Sequence, residues 1–226
     1  MDGLLGPCGV GVSRSESPDI QGQRDSATGF DPGDLAGAAS RLLSRGGWGN
    51  PDVRLVETRS GQVVVKDFSV RSLPVRVLFG AWLIRREMAA YGRLQGMQSV
   101  PRLLGPVGRL AFALEYRPGV MLSRALRGRL PSGFLSELEE AVNEMHRRGV
   151  VHLDLRHRSN VLADGRGRPV LLDFASALRF DPHRWWGRLA VRGFGWVDRR
   201  ALGKWKVRLA GSGPVPSPSV GIRRLR

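Results

Sequence analysis

The stretch HLDLRHRSN at residues 152–160 decides the fold prediction, together with the triplet LDF at residues 172–174. Two short apolar runs lie between them, and the intervening Asp-Gly-Arg-Gly is typical of a hairpin turn. Asp154, Asn160 and Asp173 therefore follow one another around a predicted hairpin. Chance is a poor explanation for this order, which indicates a site where polar side chains do chemistry.

Hydrophobic periodicity around this stretch predicts a short first helix, then two strands, a helix, a strand, and finally helices around a small hairpin. The predicted elements are a short helix at 35–44, strands at 53–57 and 62–68, a helix at 75–95, a strand at 110–116, helices at 133–148 and 183–209, and hairpin strands at 160–163 and 169–172. Gly149 suits the C-terminal cap of the helix that precedes the polar stretch. This order predicts an α+β fold.

Lysine is scarce in this sequence, which makes Lys66, at the end of a predicted strand, conspicuous. Only three of the 36 basic residues are lysines, and Lys66 is the only one before residue 204. Because lysine and arginine differ in shape and hydration, a site that needs a compact charge resists replacement by arginine. We therefore favour a functional role for Lys66, the alternative being an ordinary lysine at a strand end.

Glu87 is a second isolated charge upstream of the polar stretch. It is the only acidic residue between Asp67 and Glu115, and it falls on the apolar face of a predicted helix. A solvated helix charge is the alternative, but this position favours pairing with Lys66. The predicted inward face consists of Leu83, Ile84, Glu87, Tyr91 and Leu94.

Together these motifs resemble those of the protein-kinase-like superfamily, over residues 45–180. The run Val-Val-Val-Lys, which ends at Lys66, stands where that family has its strand lysine. His-Leu-Asp and Asn160 stand at its catalytic loop, and Asp-Phe-Ala, which begins at Asp173, stands in place of Asp-Phe-Gly. The chain looks closest to the small atypical bacterial kinases of the lipopolysaccharide-kinase and RIO-like type. The resemblance implies a compact bilobal fold with a reduced C-lobe.

The resemblance also implies roles for the motif residues in transferring a phosphoryl group from ATP. Lys66 would contact the α- and β-phosphates, and Glu87 would hold its ammonium group in place. Asp154 would accept a proton from the acceptor hydroxyl or orient that hydroxyl. Arg156, two residues further on, would neutralise the γ-phosphate.

Sites for Mg²⁺ and for adenine are implied as well. Asn160 and Asp173 would supply the oxygen ligands that Mg²⁺ prefers. The segment from Glu115 to Arg117 would lie at the hinge, where backbone groups would bind the adenine ring. ATP and Mg²⁺ are therefore the cofactors that the resemblance implies.

A glycine cluster at Gly46, Gly47 and Gly49 would cover the phosphates in this scheme. The cluster is shorter than the usual phosphate-covering pattern. Because the chain contains 30 glycines, an ordinary glycine-rich turn is an equally open interpretation.

Two departures from the family pattern bear on these expectations. Asp154 and Asn160 stand six positions apart, one more than is common, so either the loop bulges or Ser159 shares the metal-facing role. No Ala-Pro-Glu follows the Asp-Phe-Ala motif, and the chain ends 53 residues after Asp173. The usual platform for peptide substrates is therefore not expected, which favours a small or lipid-linked acceptor.

The expected organisation has two lobes that meet near residues 115–119. Residues 36–116 would form the N-lobe, and residues 117–209 a reduced C-lobe with basic, tryptophan-rich helices. Residues 1–35 show no apolar period and are rich in Gly, Ser, Asp and Pro, so we expect them to be mostly disordered. Residues 210–226 are expected to form a flexible tail.

The net charge of +16 predicts an anionic partner, and residues 174–226 alone carry a net charge of +10. Tryptophans interleaved with basic residues suit an anionic membrane interface. The alternative is that individual rings pack in the core while the arginines are solvated. We rank nucleic-acid binding below the membrane and core-packing interpretations, because no nucleic-acid-binding module is recognisable. The tryptophans of this region are Trp185, Trp186, Trp196 and Trp205.

Cysteine content and the N-terminal sequence predict the cellular location. The single cysteine, Cys8, cannot form an intrachain disulfide, which favours a reducing compartment. No basic segment followed by an apolar one is visible at the N-terminus, and the longest apolar stretch, residues 77–84, is too short to span a bilayer. We expect a cytoplasmic protein, with peripheral contact to the inner membrane face as a second option.

The leading hypothesis is an ATP- and Mg²⁺-dependent kinase that phosphorylates a hydroxyl group on a sugar, a glycolipid or a protein Ser/Thr. The alternative is a weakly active or inactive nucleotide-binding pseudokinase that binds a membrane or a partner. Joint retention of Lys66, Glu87, Asp154 and Asp173 favours the enzyme. No motif identifies the acceptor.

Overall fold

The structure, a computed structural model, describes residues 30–47, 50–69 and 80–209 of the 226-residue chain. These residues form a mixed α+β protein with three α-helices and antiparallel sheets, as the sequence predicted at this level. A five-stranded sheet and one helix come first along the chain. Two smaller sheets and two longer helices follow.

Five antiparallel strands form the first sheet: β1 (Ser40–Ser44), β2 (Asp52–Thr58), β3 (Gly61–Asp67), β4 (Leu103–Pro106) and β5 (Ala111–Glu115). Their order is β1-β2-β3-β5-β4. Gly61 sets the tight turn between β2 and β3, because its φ of +119° is disfavoured for side-chain-bearing residues. Strands β2, β3 and β5 match the predicted strands to within one residue at each end, whereas β4 was not predicted.

Helix α1 (Ala81–Arg93) lies within the helix predicted at 75–95, of which residues 75–79 fall outside the described residues. Ile84, Glu87 and Tyr91 are buried at spacings of three and four, as an amphipathic helix requires. The helix packs against β4 and β5. Glu87 therefore faces the protein interior, as the periodicity predicted.

The second half of the chain folds around two small sheets. Its elements are β6 (Gly119–Met121), α2 (Phe134–Arg147), β7 (Val150–Val151), β8 (Val161–Asp164), β9 (Pro169–Leu171), β10 (Leu178–Arg179) and α3 (Trp185–Leu209). One sheet has the order β6-β8-β9, and the other pairs β7 with β10. The predicted hairpin is β8–β9, and both predicted helices are present to within two residues. No helix in the described part of the chain is long and apolar enough to cross a membrane.

Gly149 terminates α2 and directs the chain towards the polar stretch. Its φ of +75° lies in the left-handed region, and its N–H donates to the His146 carbonyl at 2.9 Å. A Cβ at this position would lie 2.2 Å from the Phe180 carbonyl oxygen. Glycine is therefore required here, and the predicted C-terminal cap is confirmed.

One large core connects the first sheet with the later helices. Phe112 of β5, Tyr91 of α1, Leu138 of α2 and Phe174, which follows β9, are all within this buried cluster. A smaller cluster that includes Val63 covers the opposite face of the first sheet. Strand β3 is thus buried on both faces, and alternation along it sets the direction of each side chain.

One prediction near the start of the described region is wrong. The helix predicted at 35–44 is instead strand β1, because residues 40–42 pair antiparallel with residues 54–56 of β2. This pairing overrides the helix propensity of the local Ala, Leu and Arg residues. Residues 30–35, the described end of the segment that was expected to be mostly disordered, include a 3₁₀ helix at Pro32–Leu35 that is capped by Asp31. The rest of the predicted N-terminal disorder and the tail at 210–226 lie outside the described residues.

Candidate functional site

A buried ion-pair cluster joins three elements that are far apart in sequence. Lys66 Nζ donates to Glu87 Oε1 at 2.5 Å and to Asp173 Oδ1 at 2.7 Å. The side chains of Lys66 and Glu87 are buried, whereas that of Asp173 is 47% exposed. The ammonium group is therefore fixed beside a carboxylate that solvent can reach.

Local structure explains how the sequence brings these charges together. Because residues alternate along β3, Val63 and Val65 face the smaller cluster while Lys66 faces α1. Glu87 occupies an inward position of α1. Asp173 follows β9, at the end of the predicted hairpin.

The cluster members shift one another's pKa values. Burial alone would lower the pKa of Lys66, but Glu87 and Asp173 outweigh burial and raise that pKa above its ordinary value. Burial raises the pKa of Glu87, against the opposing effect of the Lys66 charge. Burial would also raise the pKa of Asp173, yet the Lys66 ammonium holds it below its ordinary value. Lys66 and Asp173 therefore remain charged at neutral pH.

Asp173 has an unusual backbone conformation that its neighbours stabilise. Its φ of +64° lies in the left-handed region, which is uncommon for residues other than glycine. Its N–H donates to Tyr91 Oη at 3.1 Å. The buried Phe174 ring packs against Tyr91 at 4.9 Å and against His152 at 4.8 Å between centroids. Burial raises the pKa of Tyr91, so its hydroxyl stays neutral. Such backbone strain concentrates at functional sites.

His152 connects the polar stretch with the segment that carries Asp173. Its Nε2 donates to the Leu172 carbonyl at 2.9 Å, and its Nδ1 accepts from the Asp154 N–H at 3.3 Å. Leu153, between them, has a φ of +69°. These contacts fix the backbone conformation at Asp154, which follows the buried His152.

Two successive tight turns connect Asp154 with Asn160, which stand six positions apart in the sequence. The His157 N–H donates to the Asp154 carbonyl at 3.2 Å, and the Asn160 N–H donates to the His157 carbonyl at 3.1 Å. Asn160 Nδ2 then donates to the Asp154 carbonyl at 2.9 Å and to Asp154 Oδ2 at 3.1 Å. Ser159 Oγ donates to Asn160 Oδ1 at 3.0 Å. The two turns therefore bring the Asn160 side chain into contact with Asp154.

Asp198 of α3 supports the polar stretch and was not singled out from the sequence. Its side chain is fully buried and accepts from the N–H groups of His152 and Leu153, both at 2.8 Å. Asp198 Oδ2 also lies 2.9 Å from His146 Nε2 on α2. The signal that could have found it is its position as the only acidic residue of α3, on the inward stripe of that helix.

Two members of the ion-pair cluster, Lys66 and Asp173, line a cleft of about 380 Å³, whereas Glu87 is buried and is not among its lining residues. Glu115 and Arg117, the residues expected at the adenine site, also line it, with Glu115 Oε2 3.2 Å from Arg117 Nε. The Glu115 N–H already donates to the Arg102 carbonyl at 2.9 Å, so that group is not available to a ligand. The lining includes apolar Val53, Val64, Leu114, Leu162 and Leu172 and polar Lys66, Ser159, Asn160 and Asp173.

The glycine cluster lies in the connection between β1 and β2. Ser44 and Val53, at either end of this connection, line the cleft, but Gly46 and Gly47 are not among its lining residues. A Cβ on Gly46 would lie 2.1 Å from a backbone carbonyl oxygen of the same loop, so the tight loop requires glycine there. Gly49 lies outside the described residues.

A second cavity, of about 350 Å³, lies between the polar stretch and α3. Asp154 and Arg156 line this cavity, whereas Lys66 and Asn160 line the cleft. Arg156 is exposed, and the structure does not bring it to the ion-pair cluster. Asp154 connects the two spaces through its hydrogen bonds with Asn160. The other lining residues are Leu153, Trp196, Val197, Arg200, Ala201 and Lys204.

Asn160 and Asp173, the residues expected to hold Mg²⁺, both line the cleft, and their side chains carry oxygen atoms of the kind that a hard cation prefers. Over residues 30–47, 50–69 and 80–209, no group of three or more His, Cys, Asp or Glu side chains could hold a metal ion. Mg²⁺ is usually bound by one or two carboxylates together with substrate phosphates and water. The residues present therefore fit Mg²⁺ held jointly with a nucleotide rather than by protein alone.

Comparison with known proteins finds no matching family model and no matching curated protein.

Proposed function

We propose that this protein is an ATP- and Mg²⁺-dependent phosphotransferase with a compact bilobal kinase-like fold and a reduced C-lobe. It would transfer the γ-phosphoryl group to a hydroxyl of a sugar, a glycolipid or a protein Ser/Thr. The observation that carries the proposal is the ion-paired cluster of Lys66, Glu87 and Asp173. Lys66 and Asp173 line the cleft together with Asn160, which is hydrogen-bonded to Asp154. The proposal places the protein in the cytoplasm, where ATP is available.

The geometry around Lys66 suits a residue that binds phosphates. Two carboxylates within 2.7 Å orient its ammonium group and keep it protonated. A compact ammonium fits this buried space better than a planar guanidinium does. Phosphoryl transfer depends mainly on positioning and charge neutralisation, which an immobilised cation supplies.

Asn160 and Asp173 would hold the Mg²⁺ of the proposed complex. When bound with ATP, the ion would neutralise charge on the phosphates. Asp173 presents a half-exposed carboxylate to the cleft, and Lys66 keeps it ionised. Asn160 is buried and oriented by Ser159 and Asp154, so its position does not depend on the ion.

Asp154 is the residue that would accept or orient the acceptor hydroxyl. It lines the second cavity and hydrogen-bonds to Asn160 of the cleft, so an acceptor in that cavity would approach a nucleotide in the cleft. The backbone contacts of His152 and Asp198 hold this part of the chain. A preorganised carboxylate of this kind contributes catalysis by proton transfer.

Replacement of Asp154 tests the proposal. ATP turnover with Mg²⁺ is measured for the wild type, Asp154→Asn and the control Asp181→Asn, which lies outside both cavities, each with sugar, lipid and protein acceptors. We expect Asp154→Asn to lower turnover about 10²- to 10⁴-fold while ATP still raises the melting temperature. The control should behave as the wild type does.

Two outcomes would contradict an enzymatic function. Turnover that survives Asp154→Asn unchanged would remove this residue from the reaction. ATP binding without Asp154-dependent turnover on any acceptor would instead support the alternative, a nucleotide-binding module without catalysis.

A further inference from the structure

Helix α3 has a second apolar face that the described residues leave uncovered. Trp185, Leu189, Trp196 and Val207 are 71%, 60%, 56% and 78% exposed. They stand near whole numbers of turns from one another, so they form one stripe along the helix. The stripe that includes Val191 packs on the protein from the opposite side. We call the exposed set the α3 outer stripe.

Cations border the α3 outer stripe, and no exposed acidic residue of the helix does. Arg188, Arg192 and Arg199 are exposed, and none has an ion-pair partner among the described residues. Asp198 is the only acidic residue of α3, and it is buried against His146. The face is therefore both apolar and positively charged.

Tryptophan and arginine also contact each other along this helix. The Arg200 guanidinium lies 5.1 Å from the centre of the Trp196 ring. Aromatic rings beside cations are typical of surfaces that sit at the boundary between water and lipid headgroups. Such a helix lies in the plane of the interface and does not cross it.

We propose that the α3 outer stripe binds the surface of an anionic lipid bilayer. Charge complementarity selects this occupant, because clustered Arg and Lys are attracted to anionic headgroups while exposed Trp and Leu bury in the boundary region. A second copy of this chain would bring the same cations against the first. A nucleic acid would satisfy the arginines but would leave apolar Leu189 and Val207 in water.

Bilayer contact would also place the second cavity close to the lipid surface. Arg200 and Lys204, which line that cavity with Asp154, belong to the same helix as the outer stripe. Vesicle binding itself needs neither ATP nor catalysis, so it is independent of the proposed phosphotransferase activity.

Vesicle sedimentation of the full chain without nucleotide tests the proposal. The probes are phosphatidylcholine vesicles and vesicles made of equal parts phosphatidylglycerol and phosphatidylcholine. We expect binding to the anionic vesicles only, weakened by added salt. Arg188→Gln with Arg192→Gln should lower the partition coefficient about 25-fold, at about fivefold for each cation. The matched control, Arg109→Gln with Arg166→Gln, removes two exposed cations from other elements and should bind nearly as the wild type does.

The apolar half of the face is tested by Trp185→Ser with Leu189→Ser. We expect this variant to bind on the order of tenfold more weakly, while Trp82→Ser, an exposed tryptophan on α1, should bind normally. Circular dichroism verifies folding, and the arginine pair alone decides the result if the apolar variant unfolds. Equal weakening by the matched control pairs would refute the proposal, as would no vesicle binding. Oligonucleotide binding that the α3 substitutions abolish, without vesicle binding, would assign the face to nucleic acid and likewise refute it.

Discussion

Substitution of Asp198 by Asn should loosen the polar stretch from α3. The two carboxylate oxygens of Asp198 face three nitrogen donors, the backbone N–H groups of His152 and Leu153 and the ring of His146. An asparagine offers one oxygen and one NH₂ group, so one of the two positions becomes a donor. Whichever way the amide is turned, one backbone N–H then faces another donor in a fully buried site.

The expected loss of stability follows from the hydrogen bonds that the substitution removes. A hydrogen bond to a charged acceptor contributes about 1.5–3 kcal/mol, and a buried donor without a partner costs about 1–3 kcal/mol. Because the chain relaxes partly around the new amide, we expect Asp198→Asn to lower the free energy of unfolding by about 2–4 kcal/mol. For a protein of this size that corresponds to a melting temperature lower by roughly 5–15 °C.

Urea denaturation followed by circular dichroism measures this change. The control is Asp181→Asn, which removes a partly exposed aspartate just before α3 and should change stability by less than about 0.5 kcal/mol. A loss below about 1 kcal/mol for Asp198→Asn would show that the buried contacts do not hold the stretch as argued. If the proposed function is correct, turnover should also fall, because Asp154 follows the two backbone donors directly.

Two further predictions concern the ion-pair cluster. Lys66→Arg keeps the charge but not the compact shape, so we expect the stabilisation by ATP to disappear and turnover to fall about 10²-fold, while Lys206→Arg, on the surface of α3, changes neither in enzyme assays and thermal shifts. The second concerns acid: Lys66 holds the pKa of Asp173 below its ordinary value of 3.8, so this pair's contribution to stability is present above that value and is lost as pH falls through the lower, folded-state pKa. Urea denaturation from about pH 6 down to about pH 2 should therefore show wild type and Asp173→Asn converging in stability at the acid end, and a constant difference would contradict the ion pair's role.

Sequence patterns correctly predicted those elements that are determined by residues close to them in the chain. The turn at Gly61 and the run of β-branched valines specify β2 and β3, and the cap at Gly149 marks the end of α2. Lys66 was singled out because lysine is scarce in the chain and Glu87 because it is a lone acid on an apolar helix face, and the two side chains do pair. In these cases the physical cause lies within a few residues of the feature that it determines.

Strand β1 was not predictable in the same way. Its residues are exposed, and nothing but pairing with β2 gives residues 40–44 an extended conformation. The Arg and Leu residues there have a local preference for helix, and their partners in β2, which override it, lie nine to sixteen residues away along the chain. The tryptophans posed a similar problem, since Trp205 is buried while Trp185, Trp186 and Trp196 are exposed.

The apolar faces of the two helices explain why Glu87 was singled out from the sequence and Asp198 was not. Helix α1 has one apolar face, so an acid on that face stands out. In α3 the exposed Trp185, Leu189 and Trp196 place apolar residues opposite the buried stripe, and this second face obscures the inward period. Asp198 is the only charged side chain on the buried stripe of α3, but a helix with two apolar faces does not show in its sequence which of them is buried. The outer face that we propose to bind a bilayer therefore obscures the acid that holds the polar stretch.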